Sequence, residues 1–234
     1  MLVHGRVLLA ALFTVLSSPS LGQQASPVPT PTQPADKRIL WIIPNYRTSS
    51  SLHPYKPLTP EEKFKIATKD SFDPGAIALA ALFAGEAQLT HATPAFGQGA
   101  EGYARYLVTS YANFAIGDMM TEAVYPVVLH QDPRYFRRGT GSAWSRLASA
   151  AGQVFRTHTD SDRTQFNFSE IAGRSTAVAI STAYYPDNRT ATNAVSKLGV
   201  QLGVHMASNI LKEFWPDINR KLSRKQRAGK SGTR

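Results

Sequence analysis

The chain has 234 residues, no cysteine and a formal net charge of +10. That length supports a packed core without disulfides or metal staples. The absence of cysteine excludes thiolate metal sites, a Cys nucleophile and a lipoprotein anchor.

Residues 1–22 read as a secretory signal: Arg6 in the n-region, an apolar run at 7–16, then small residues up to a cleavage point after Gly22. Ten apolar residues fall short of the ~20 that span a bilayer, which disfavours the alternative of an uncleaved membrane anchor. Residues 23–37, rich in Pro, Thr, Ser and Gln, carry no aromatic side chain and are expected as a disordered tether before a helical domain at 38–219.

Residues 38–43 (RILWII) predict one isolated strand, or an extended arm lying across the helices. Thr59-Pro60-Glu61-Glu62 is a helix start with the elements of a capping box. A second start stands at Asp73-Pro74, and its helix, to about Leu89, carries Glu86 as its single charge. A long amphipathic pattern follows over 98–128, with Pro126 expected to kink or end it. Ser142 caps a helix to about Phe155, residues 157–168 look turn-like, and Ser169-Glu170 opens a helix to about Tyr185. The last helix is expected from about Thr190 to Phe214, broken by Trp215-Pro216-Asp217.

Charge is unevenly placed. Seven cations and no acid lie in 220–234, so residues 23–219 hold 18 basic and 16 acidic side chains. This end is expected as a disordered basic tail, either binding an anionic membrane surface or envelope polymer or serving only solubility. Nothing points to specific nucleic-acid recognition.

Small residues recur at four-residue spacing: Ala76, Ala80 and Ala84; Gly173, Ala177 and Ser181; and Ala191, Val195, Gly199, Gly203 and Ala207. Such stripes let helix backbones approach closely. The uncharged stretches in these helices are too short and too interrupted to span a bilayer.

The densest chemistry lies in residues 129–139. Asp132 is a candidate catalytic carboxylate or a cap for the segment after it. Arg134, Arg137 and Arg138 form a candidate fork for phosphate or carboxylate groups; the competing role is pinning loops by pairing with Asp132, Asp217 or Glu170. Asp118 and Glu122, four apart on a helix, present two carboxylates on one face, and with His130 they complete the catalytic candidates. The competing view is a solvated acidic face. No HExxH spacing, GxSxG elbow, SxxK or phosphate loop occurs, so no metal or cofactor is expected. Asn167-Phe168-Ser169 and Asn188-Arg189-Thr190 fit the glycosylation pattern, which has meaning only in a eukaryotic secretory setting.

Several blocks taken together, GQGAEGYARY at 97–106, HQDPRYFRRG at 130–139, NFSEI at 167–171, YYP at 184–186 and EFWPDI at 213–218, resemble an uncharacterised family of exported bacterial proteins. The resemblance covers about residues 70–222. It implies a bacterial, exported setting and brings no catalytic residues with it.

The expectation is therefore an all-α protein: a single bundle of five or six closely packed helices with an N-terminal extended arm. The leading function is an exported, non-enzymatic protein of the periplasm or cell envelope, associated with a membrane. The rival is an envelope hydrolase or ligand-binding enzyme built on Asp118, Glu122, His130, Asp132 and Arg134, which requires those side chains to meet in one cleft.

Overall fold

The computed structural model describes residues 38–39, 43–49, 54–187 and 189–231, with side chains except at 43, 44 and 224–231. The expected signal and tether lie outside the described residues. What is described is mostly helical.

The helix starts are those their caps dictate. Helix α1 (Pro60–Ser71) opens on a complete capping box: the Glu62 amide donates to Thr59 Oγ1 at 3.2 Å, and the Thr59 amide to Glu62 Oε2 at 2.8 Å. Helix α2 (Pro74–Leu89) opens on Asp73, whose Oδ1 accepts from the Gly75 amide at 2.7 Å. Asp73 also accepts from Arg38 Nη1 at 2.7 Å and from Tyr46 Oη at 3.1 Å, so the cap of α2 anchors the N-terminal segment as well.

Residues 97–102 turn the chain into helix α3 (Gly99–Asp118). Gly97 and Gly99 both take φ of +75°, and a Cβ on Gly102 would lie 2.5 Å from the Gly97 carbonyl oxygen. Glycine is required at this turn for backbone conformation and close approach.

Helix α3 passes into a π-helical segment, Met119–Val124, and then a short turn, α4 (Tyr125–Val128). The sequence predicts a kink or stop at Pro126. Instead the hydrogen-bond register widens ahead of it, with the Tyr125 amide reaching the Met120 carbonyl five residues back. Proline has no amide to offer the carbonyl four residues earlier and crowds it sterically, and the wider turn accommodates both defects.

After β4 (Tyr135–Phe136), Ser142 caps α5 (Ala143–Gly152) as expected, though the helix stops short of Phe155. Residues 157–168 are not simply turns: β5 (Arg156–His158) and β6 (Thr164–Phe166) pair antiparallel. Helix α6 (Phe168–Ser181) is capped by Asn167 and ends before Tyr185.

Helix α7 (Ala191–Ser231) corrects two expectations. It runs unbroken through Pro216, and it continues into the stretch expected as a disordered tail. A proline inside a helix costs about 3 kcal/mol. Here Trp215, 3% exposed, and the ion pairs of its neighbours Glu213 and Asp217 hold the turn on both sides.

At the N-terminus the isolated strand is replaced by two paired segments. Strands β1 (Arg38–Ile39) and β2 (Ile43–Pro44) run antiparallel, while β3 (Thr48–Ser49) pairs parallel with β4, Thr48 opposite Tyr135.

Two interiors result. The first is aromatic: α2 packs on α3, and Ala84, Phe96, Tyr106 and Tyr185 form a cluster in which Phe96 meets Tyr106 edge-on at 5.1 Å. The second surrounds the π segment, against which α1 and α6 pack. Two of the small-residue stripes face inward, since Ala76, Ala80, Ala84, Gly173, Ala177 and Ser181 are all buried. The third does not. Gly199 and Gly203 are exposed with nothing within 4 Å of a Cβ position, and Val195 is 71% exposed.

Gly173 sets the approach of α6 to the π segment: a Cβ there would stand 2.7 Å from Thr121 Cγ2 and 3.0 Å from the Thr121 amide nitrogen. Gly173→Ala should therefore destabilise the protein by about 1–3 kcal/mol in urea unfolding, although alanine is the better helix former by about 1 kcal/mol. A stabilised variant would show that this contact is not tight.

Candidate functional site

Three groups of polar side chains are drawn inside the fold. The central one is organised by Arg47, 6% exposed, which directly precedes β3. Its Nη1 lies 2.9 Å from Glu122 Oε1 on the π segment, and its Nη2 meets His205 Nε2 on α7. A guanidinium only donates, so Nε2 must accept and the ring proton resides on Nδ1. That Nδ1–H points at Glu170 Oε1 on α6, 2.5 Å away, and Arg174 Nε donates to the same oxygen at 2.9 Å. A chain Glu122–Arg47–His205–Glu170–Arg174 thus runs through four segments of the fold.

Its electrostatics follow from burial and neighbours. Burial, with Arg47 close by, lowers the His205 pKa to about 4 against the pull of Glu170, so the imidazole is neutral at pH 7. Burial pushes the Glu170 carboxyl up, but Arg174, His205 and Arg47 outweigh it and hold it well below the ordinary carboxylate range. Around this chain lie Asp118 at the end of α3, Asp70 on α1 and Lys212 on α7. Burial and the field of Glu122 raise Asp118 to about 7 and Asp70 well above its usual value. Burial and Arg47 lower Lys212 to about 8.

The second group surrounds Glu213, which is fully buried. Its Oε2 accepts from Tyr135 Oη at 2.7 Å and the Arg138 amide at 3.0 Å; its Oε1 accepts from the Gly139 amide and from Arg146 Nε, both at 2.8 Å. The Glu213 carbonyl takes Arg137 Nε at 2.9 Å and Arg146 Nη2 at 2.8 Å. The third group centres on Asp132, which accepts from Arg134 Nη2 at 2.6 Å, from the Arg134 amide at 2.9 Å and from Tyr55 Oη at 2.8 Å.

The sequence-derived candidates therefore separate. Asp118 and Glu122 belong to the Arg47 network and are not a solvated face. Asp132 and Arg134 pair with each other, and Arg134 also stacks over Tyr55 and Phe136, at 5.6 and 5.2 Å from the ring centres. Arg137 is tied to Glu213, while Arg138 is exposed and contributes its amide. The three arginines make no common fork. Of the acids offered as their partners, Asp132 takes Arg134 and Asp217 lies 3.8 Å from Arg137, whereas Glu170 pairs with Arg174. His130 is turned outward, its side chain 83% exposed and its Nδ1 3.8 Å from Asp160.

Asp132, Arg134, Arg47, Glu170, His205 and Asn209 do line one internal cavity of about 20 Å³. That is room for one water molecule, and the buried Asn209 Oδ1 at its wall has no hydrogen-bond partner. Among the described residues no group of three or more His, Cys, Asp or Glu side chains is placed to hold a metal ion.

Sequence reasoning missed Arg47, Lys63, Asp70, Arg174, Lys212 and the role of Glu213. One signal does point to most of them. His205, Asn209, Lys212 and Glu213 follow the i, i+4, i+7, i+8 spacing of a core-facing stripe, as do Lys63, Ala67 and Asp70 on α1, and all seven are buried. The stripe is present but carries polar side chains.

Comparison of the chain with protein-family models, with curated proteins and with solved structures returns no match.

Removing the Glu213 carboxylate takes the acceptor from Tyr135 Oη, Arg146 Nε and two loop amides inside the protein, while Arg146 keeps Asp217. Glu213→Ala should cost about 3–5 kcal/mol by chemical denaturation, the range for breaking a buried ion pair by deleting one partner. A loss below 1 kcal/mol would mean that the 137–139 loop re-forms its bonds elsewhere.

Proposed function

We propose that this is an exported, non-enzymatic protein of the cell envelope that seats on a membrane surface, its helices forming a single bundle with the N-terminal segment laid across it as an arm. The observation that carries this reading is an exchange of polarity between inside and outside. Helix α2 buries Gly75, Ala76, Ala80 and Ala84, yet exposes Ile77, Leu82 and Leu89 by 48, 67 and 83%. Phe72, just before it, is 68% exposed, and Val195, Val200 and Val204 are exposed on α7. Meanwhile Arg47, Lys63, Glu122, Glu170, Lys212 and Glu213 are buried.

An apolar surface of this kind is an aggregation liability in water and a natural contact for the acyl boundary of a bilayer. Among the described residues no helix is long and apolar enough to cross a membrane. The sixteen residues of α2 reach only about 24 Å, against a hydrocarbon core of about 30 Å, so the contact is interfacial. The seven cations of 220–234 add attraction to an anionic lipid face or envelope polymer, worth ~1 kcal/mol per residue close to the surface.

The rival enzyme reading draws little from the geometry. Its five residues divide between the Arg47 network, the Asp132–Arg134 pair and an outward His130. The cavity nearest to them, about 20 Å³, has room for about one water molecule.

Cosedimentation with vesicles tests the proposal. The protein should pellet with anionic vesicles, bind less as salt rises, and lose affinity when 220–234 is deleted. The double substitution Leu82→Glu, Leu89→Glu should weaken binding about tenfold or more at constant charge screening, with the fold retained by circular dichroism. Complete recovery in the soluble periplasmic fraction at low salt, unchanged by the deletion, would sink the idea.

A further inference from the structure

The interior around the π segment contains more carboxylates than cations. Asp70 comes from α1, Asp118 from α3, Glu122 from the π segment and Glu170 from α6. Facing them are Arg47 from the N-terminal segment, Arg174 from α6 and Lys212 from α7, while His205 contributes no charge because both its nitrogens are already committed, Nε2 to Arg47 and Nδ1–H to Glu170. Four carboxylates against three cations leave one negative charge without a counterpart in a region where Asp70, Glu122 and Glu170 are buried and Asp118 is half-buried, so that an uncompensated charge is costly.

The hydrogen bonds show the same deficit of donors. Glu170 is satisfied by Arg174 and His205, and Glu122 Oε1 by Arg47. Glu122 Oε2 and Asp70 Oδ1, on side chains of residues only 2% and 7% exposed, accept nothing. These orphan oxygens belong to segments packed directly on each other, α1 and the π segment. Both lack a donor, and a proton on either carboxyl supplies one and removes the excess charge. The π segment lies at the same place, a backbone irregularity that recurs at working sites.

We propose that the carboxylates of Asp70, Asp118 and Glu122 form a proton-binding site in the folded protein, holding one proton near neutral pH, so that acidification through neutrality tightens the core. This does not rest on the membrane reading. The direction of the carboxyl shifts agrees: burial and Glu122 lift both Asp70 and Asp118, with Asp118 reaching about 7 while Arg174, Arg47 and Lys212 pull it back. For a carboxyl whose folded pKa is raised, the folded state binds more protons than the unfolded chain between the two values. Its contribution to stability is full below the unfolded pKa and is lost as pH rises to about 7. His205 acts oppositely, adding stability as pH rises from about 4 towards its unfolded value. Lys212, lowered to about 8, likewise adds stability as pH rises beyond that value, so the wild-type profile alone mixes three slopes and a difference against a variant is needed.

The test combines a direct titration with that difference. Side-chain carboxyl carbons of the ¹³C-labelled full chain are followed by NMR from pH 4 to 9, alongside thermal unfolding of wild type, Asp118→Asn and Asp70→Asn. The expected result is an aspartate or glutamate carboxyl with a midpoint near neutrality, absent or displaced in at least one of the two variants. Asp118→Asn should gain in folding equilibrium over wild type by on the order of tenfold between pH 5.5 and 8.5, because the amide never ionises. If either variant fails to fold, the wild-type titration decides alone. Completion of every carboxyl titration below pH 5.5, or a neutral midpoint unmoved in both folded variants, overturns the proposal.

Discussion

A single guanidinium joins the parts of this molecule. Arg47 reaches the π segment through Glu122 and α7 through His205, and its own backbone carbonyl accepts the Tyr135 amide at 3.0 Å beside the β3–β4 pairing. Burying a guanidinium without partners costs several kcal/mol, so a conformation that lacks one of these segments is heavily penalised. Well-packed apolar groups could give equal stability, but they would not require His205 in one tautomer, Glu170 in one rotamer and the chain's N-terminal segment in one place.

This division of labour is visible in the composition of the interior. Among the described residues, seven of the sixteen buried apolar residues are alanines, and six are aromatic: Phe96, Tyr106, Tyr135, Phe136, Tyr185 and Trp215. Close approach of backbones at Ala76, Ala80, Ala84 and Gly173 replaces bulky side-chain interdigitation, and the space near the π segment is filled by long charged side chains instead. Lys63 follows the same logic. It is 1% exposed, and its ammonium donates to Asp160 at 2.8 Å and to the Pro126 carbonyl at 3.1 Å, so its stem lies inside while its charge is paired at the edge.

Local structure was readable where local chemistry decides it. Thr59, Asp73 and Ser142 cap their helices, because capping depends on neighbours within three residues. In the 130–139 stretch Asp132 pairs with Arg134, yet the carboxylate that takes the Arg138 and Gly139 amides, Glu213, lies some 75 residues away on another helix. Choice of partner is a tertiary property and no spacing encodes it. The polar stripes of α1 and α7 mislead for a related reason. Periodicity reports which positions share a face, and the usual assumption that polar faces meet solvent assigns 205, 209, 212 and 213 to the wrong side. Pro216 fails as a helix stop because tertiary ties on adjacent turns exceed its local cost. The candidate site was half legible: Asp118 and Glu122 were recognisable as a pair, but not their surroundings.

The pairing of Arg47 with His205 also orders events in time. These residues are 158 apart in sequence, and β3 meets a strand that lies beyond the entire α1–α4 region. Closing so long a loop is entropically unfavourable and rewarded only at the end, whereas α2 against α3 needs contacts between neighbouring helices. The α2–α3 part of the aromatic interior can therefore condense early from local encounters, before Tyr185 joins it, while the charged one waits for the N-terminal segment and α7. Until then its carboxylates stay hydrated, and the half-built protein keeps a wet seam that the arriving arginine finally closes.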